Sequence, residues 1–183
     1  MHKDCNSITK FKQGAKMDFA QYIEMVENKL RSSFDISRNY IINDVQYDLY
    51  AEFHLRNEKY VAVKNAVIYA FENNEYCLIK HFEKFDKNDY NNLTESMIQS
   101  VESIVKPSNE HMSSVITGVI VTDNIPFEDL EDIIQAVKQF KYNKGFAFGF
   151  KGWADIRLLL VSLNEGLIAI NKKGKEVSEV YKL

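Results

Sequence analysis

Two apolar runs separated by one helical segment constrain this chain most. Val115-Ile-Thr-Gly-Val-Ile-Val-Thr122 and the run from Ile156 to Leu163 are apolar at both alternating sets of positions. A strand with one wet face alternates, so a strand with no polar side must be covered on both faces. Between the runs, Phe127, Leu130, Ile133, Ile134, Val137 and Phe140 recur at helical spacing behind Pro126. Proline suits a first helical turn, and the early acids Glu128, Asp129 and Glu131 with the late Lys138 and Lys141 complement a helix dipole. Buried strands joined by a helix predict parallel or mixed pairing through a right-handed crossover.

The preceding segments extend that sheet. Behind the candidate cap Asp18, residues Phe19, Tyr22, Ile23, Val26 and Leu30 form one stripe, predicting a helix that ends near Ser32–Ser33. From Asn39 to Phe82 the period falls to two. Tyr47, Leu49, Ala51, Phe53 and Leu55 alternate with Asp48, Tyr50, Glu52, His54 and Arg56, a half-buried strand. Asn57-Glu58 reads as a hairpin tip, Tyr60 to Phe71 as the next strand with a bulge at Asn65, Asn73-Asn74 as a turn, and Glu75 to Phe82 as a further strand. Lys87 to Val105 returns to helical spacing through Leu93, Met97, Val101 and Ile104, with Pro107 just beyond its end.

After the third helix, Gly145 to Phe150 reads as a strand. Phe146, Phe148 and Phe150 would share one face and Gly145, Ala147 and Gly149 the other, and a glycine-lined face invites close approach of another element. Asn164-Glu165-Gly166 is a hairpin loop, and Lys173-Gly174 a turn before an unassigned tail. The fold class that follows is α/β or α+β, a mixed, largely antiparallel sheet of six or seven strands with three covering helices, in the order α-βββ-α-β-α-βββ. Residues 1–16, with Lys3, Lys10, Lys12 and Lys16 against Asp4, read as a flexible polar leader, and residues 17–183 as a single globular domain.

Hydrophobic residues at 45% and charged residues at 27% are globular values. The net charge of -3 argues against nucleic acid as a partner. Cys5 and Cys77 match no metal or redox spacing, and Cys77 sits in apolar context, so a buried inert thiol in a reducing, cytoplasmic setting is expected. No run approaches the ~18 apolar residues of a membrane span, and no membrane partner is expected.

On the polar side of the alternating strand, Asp48, Glu52 and His54 would point together with Tyr50 among them. Two carboxylates and an imidazole could hold a divalent metal or perform acid–base work; as a plain alternative, the set is the charged solvent face of a strand. The order helix, three-strand meander, helix, strand resembles the core of restriction-endonuclease-like nucleases. That resemblance implies an Asp on one strand and an acid-x-Lys on the next, two carboxylates on Mg²⁺ and a lysine assisting the attacking water. Asp48 matches the first position and Lys64 the lysine, while Ala62 stands where the second acid belongs and Gln99 is an optional extra. His54, His81 and His111 have no ligand spacing, no nucleotide-binding glycine pattern is present, and no metal or cofactor site is read from the sequence.

The segment Gly149 to Arg157 holds the only tryptophan. Trp153 and Arg157 are candidates for a partner or small-ligand contact, against the plainer reading of a core-capping ring and an ion-paired guanidinium. With no catalytic constellation, the leading reading is a non-catalytic domain that binds a protein partner, or forms a homodimer, through a sheet face or edge. A metal-dependent hydrolase of nuclease-like kind is the alternative, and a small-ligand site near Trp153 the third.

Overall fold

The computed structural model describes residues 8–10, 17–60 and 67–183. The first half runs β1 (Ile8–Lys10), α1 (Phe19–Leu30), β2 (Asp35–Ile42), β3 (Val45–Tyr60), β4 (Val67–Lys84) and α2 (Lys87–Ile104). The second half runs β5 (His111–Asn124), α3 (Phe127–Gln139), β6 (Asn143–Gly145), β7 (Trp153–Ser162), β8 (Leu167–Ile170) and α4 (Ser178–Tyr181). Short 3-10 turns occupy Ala147–Gly149 and Gly174–Val177.

One sheet carries the fold, in the order β1-β8-β7-β5-β4-β3-β2, with the three-residue β6 pairing beside β7. β4 pairs β5 in parallel and β5 pairs β7 in parallel, whereas every other pairing among the described strands is antiparallel. The mixed, largely antiparallel sheet is the expected one. β1 falls within the stretch read as a leader and pairs β8 antiparallel. No helix among the described residues is long and apolar enough to cross a membrane.

The two apolar runs are covered on both faces, as their lack of a polar side requires. On one face, Leu93, Met97 and Val101 of α2 and Ile133, Ile134 and Val137 of α3 pack against Leu78, Ile116, Ile120, Ile156, Leu158 and Leu160. On the other, Tyr22, Ile23, Val26 and Leu30 of α1 pack with Tyr181 of α4 against Leu49, Cys77, Ile79, Val119, Val121, Leu159 and Val161. At Gly118 of β5, any Cβ would meet Met97 Sδ at 2.4 Å, so α2 rests directly on strand backbone there. Helices α1 and α2 start at capping boxes, Asp18 with Gln21 and Asp86 with Asp89, which satisfy amide groups that the helix leaves unpaired. Pro126 sits one residue ahead of the first-turn position, at the N-cap of α3.

Three sequence expectations are corrected. Asn57-Glu58 is not a hairpin tip, because β3 continues to Tyr60 with Asn57 opposite Phe71 and Glu58 opposite Ala70. Nor do Asn73 and Asn74 turn the chain. They lie inside β4, paired to Leu55 and His54 on one side and to Ser113 and Ser114 on the other. Asparagine favours turns locally, but a position flanked by two strands has backbone partners on both sides that a turn would forfeit. Gly145 to Phe150 is strand only as far as Gly145, then a 3-10 turn. Asn65 lies outside the described residues.

The alternation of β3 also changes phase. Tyr47 and Tyr50 both face the α2/α3 core, whereas Leu49 and Ala51 face the α1 core. The break falls between the cross-strand pairs Arg38–Leu49 and Tyr40–Tyr47, beside Asn39, whose φ of 52° is left-handed. A left-handed residue twists an edge strand locally and lets the faces exchange. The β2–β3 turn itself is Asn43-Asp44, both left-handed (φ 48° and 65°), between the paired Ile42 and Val45. Two left-handed residues are what a two-residue hairpin of native twist needs.

Candidate functional site

Beyond the C-terminal end of α2, no described residue covers the face of β2, β3 and β4. A groove of about 730 Å³ lies there, floored by the strands and walled by Ser103, Ile104 and Lys106. The strand register sets its floor. Glu52 stands opposite Tyr76, His54 opposite Asn74, and Arg56 opposite Glu72. Ser103 Oγ donates to Asn43 Oδ1 at 2.8 Å and so ties the end of α2 to the β2–β3 turn.

Aromatic rings line one end. Tyr40 and Tyr50 stack at 4.3 Å with planes 16° apart, Tyr76 lies 6.5 Å from Tyr50, and His54 meets Tyr76 edge-on at 5.7 Å. The Tyr50 hydroxyl donates to Glu52 Oε2 at 2.7 Å. The same oxygen is 3.5 Å from His54 Nε2, and His54 Nδ1 is 2.7 Å from Asn74 Oδ1. Burial, then the Glu52 carboxylate, pushes the Tyr50 hydroxyl well above its ordinary range. Burial, then Glu52 and Glu72, pushes Tyr76 up to about 12. Both hydroxyls therefore stay protonated, and Tyr50 spends its proton on Glu52.

Asp35 is the direct cross-strand neighbour of Glu52. Like charges in directly opposed positions destabilise a sheet, and a cation placed between them would relieve that cost. At the far end Arg56 is engaged, 3.0 Å from Glu110 Oε2 and 3.9 Å from Glu72 Oε1. β2 is an edge. Among the described residues no strand pairs with its outer side, and Tyr40 and Ile41 are 42% and 65% exposed on it.

Of the residues singled out from the sequence, Glu52 and His54 meet in this groove. Asp48 does not join them. Its carboxylate accepts the His81 N–H at 2.7 Å, on the far side of the phase change. Ala62 and Lys64 lie outside the described residues, and Gln99 is 3.5 Å from its helix neighbour Glu95. Arg157 is buried and holds Glu75 at 2.9 Å and Glu176 at 3.0 Å, while Trp153 is 41% exposed. A second concavity of about 600 Å³, lined by Tyr142, Asp155, Lys173 and Glu176 among others, includes neither Trp153 nor Arg157.

His111 and His81 are held structurally. His111 is buried, with Nδ1 2.7 Å from the Lys151 carbonyl and Nε2 2.9 Å from Ser114 Oγ. His81 stacks on Phe19 at 4.1 Å. Among the described residues no group of three or more His, Cys, Asp or Glu side chains is placed to hold a metal. Sequence reasoning missed Tyr40, Tyr76 and Asp35 because cross-strand pairing, not spacing along the chain, brings Tyr76 and Asp35 to Glu52 and Tyr40 to Tyr50. The Asn43-Asp44 pair was the available signal, since it sets the β2–β3 register.

No curated protein and no solved structure matches the chain. Residues 18–183, which include all of the groove, match the family described as "Domain of unknown function (DUF8052)", and the chain belongs to that family.

Proposed function

We propose that this is a non-catalytic cytoplasmic domain that receives a protein partner on the open face and edge of its β2–β3–β4 meander. One observation carries the reading: the tyrosine-lined groove, with Glu52 and the Tyr50 hydroxyl poised in it, opens directly onto the exposed edge of β2. An edge strand supplies backbone partners to an incoming segment, and the groove beside it supplies side-chain recognition. The net charge of -3 supports a protein over a nucleic acid, and the free, buried Cys77 supports a reducing compartment.

A metal-dependent hydrolase draws less support, because Asp48 is engaged with the His81 amide and stands apart from Glu52 and His54. A small-ligand site at Trp153 and Arg157 draws less still, since Arg157 is already held by two carboxylates. The test is a photo-crosslinking amino acid at Ile41, compared with one at Phe127, 91% exposed on α3 away from the groove. A discrete crosslinked polypeptide from position 41 and none from position 127 is the expected result, and silence at position 41 would overturn the reading.

A further inference from the structure

The loop from Phe146 to Trp153 is rigid and strained, yet it displays apolar rings. Ala147, Phe148 and Gly149 are left-handed in succession (φ 47°, 56° and 91°). Outside glycine such residues are strained and persist where the surroundings over-determine them. Here the amides of Phe146, Gly149, Phe150, Lys151 and Gly152 all bond carbonyls within the loop, and His111 grips the Lys151 carbonyl from below. The outcome is that Phe148 and Phe150 stand 102% and 88% exposed, next to the 41% exposed Trp153. A floppy loop could fold such rings away. This one holds them out.

The loop is also cationic in a chain that is not. Residues 146–153 contain Lys151 and no Asp or Glu, against a net charge of -3 overall, while Lys144 just ahead of the loop is already paired with Glu102. Pairing this loop with its own copy would oppose like charges. The surface of this chain that suits a phenyl-and-lysine plug is the groove, with its tyrosine faces and the adjacent carboxylates Asp35 and Glu52. Both lie at the same end of the sheet. The row His54–Asn74–Ser114–Ala154 runs from the groove floor to the base of the loop, three strand spacings or roughly 14 Å. Two features so close at one end can be exchanged reciprocally about a two-fold axis.

We propose that the occupant of the groove is a second copy of this chain. Phe148 and Phe150 of each protomer seat against Tyr40, Tyr50 and Tyr76 of the other, with Lys151 beside Asp35 and Glu52. This rests on the groove being a protein-binding surface, and it adds the identity of the partner.

Complementation tests it. Sedimentation velocity on the full chain should show a dimer, weakened at least about tenfold by F148S/F150S and likewise by E52K. Mixed in equal amounts, the two variants should form a heterodimer, because one retains its groove and the other its loop. Circular dichroism of each variant guards against misfolding, and Trp153 emission reports burial of the loop. A wild-type monomer at the highest attainable concentration would overturn the proposal. So would a dimer untouched by F148S/F150S, or loop-dependent binding to phosphatidylserine vesicles by a monomer. A crosslink from Ile41 to a different polypeptide would end the self-association while leaving the groove as a partner site. Silence at Ile41 would remove both.

Discussion

At Gly152 the backbone is left-handed (φ +76°), and an added Cβ would lie 2.4 Å from the Met112 carbonyl oxygen and 2.6 Å from that of His111. Both neighbours are backbone and cannot swing aside. Gly152→Ala should therefore cost about 2–4 kcal/mol in urea unfolding, from the clash and the strain together. Arg157 and Trp153 form a useful contrast. Arg157 is buried against Glu75 and Glu176, so Arg157→Ala removes packing and two ion pairs and should cost about 2–3 kcal/mol. Trp153→Ala, at a partly exposed position, should cost under about 1 kcal/mol by the same measurement. The sequence shows that an arginine and a tryptophan lie four residues apart. It does not show that the arginine is buried between two carboxylates while the tryptophan is partly exposed.

At the scale of elements, α1, α2 and α3 were legible, whereas α4 and the strand ends were not. Helix stripes and caps are local, so Asp18 and the apolar positions of α1, α2 and α3 could be read from spacing alone. Asp86→Ala should lower stability by about 1 kcal/mol, seen as a lower urea midpoint with unchanged slope, since Asp86 accepts the amides of Asn88 and Asp89. Strand continuity across Asn57-Glu58 and Asn73-Asn74 depends on pairing partners distant in the chain, which override local turn preference. The segment Gly145 to Phe150 errs the other way. Its small–large alternation mimics a strand, but its backbone bonds close upon themselves into a tight loop. In the groove, Tyr50→Phe should cost about 1 kcal/mol by removing the bond to Glu52, and it should weaken dimerisation less than E52K does, because the ring remains.

For the whole molecule, the buried acids make a prediction about pH. Burial raises the Cys77 thiol from 9.0 to about 12, against a hydrogen bond from Tyr181, and burial raises Tyr22, Tyr50, Tyr76 and Tyr181 as well. Each is held protonated in the folded state, whereas the unfolded chain begins to release these protons near pH 9.0. Between that pH and the raised values the folded state binds more protons, so stability is full below 9.0 and falls as pH rises towards 12. Urea midpoints should be flat through neutral pH and decline in this alkaline window. Cys77→Ala should remove about 1 kcal/mol of the decline by pH 10, since a thiol of ordinary pKa is then mostly ionised when unfolded. Native Cys77 should resist thiol reagents until the protein unfolds.

The amino-acid sequence by itself determined the α1, α2 and α3 stripes, the two doubly covered strands and hence a mixed sheet with helices on both faces. Those features follow from periodicity, which depends only on neighbours along the chain. Half of the groove was visible too, as Glu52 and His54 on one side of an alternating strand. Only the tertiary structure decided that Asp48 leaves that set at the phase change, that Tyr40 and Tyr76 enter it by register with Asp35 beside Glu52, and that α2 stops short and leaves the face open. It alone decided that Phe148 and Phe150 point outward. Register, twist and coverage are set by contacts between residues far apart in the chain, and no local pattern encodes them.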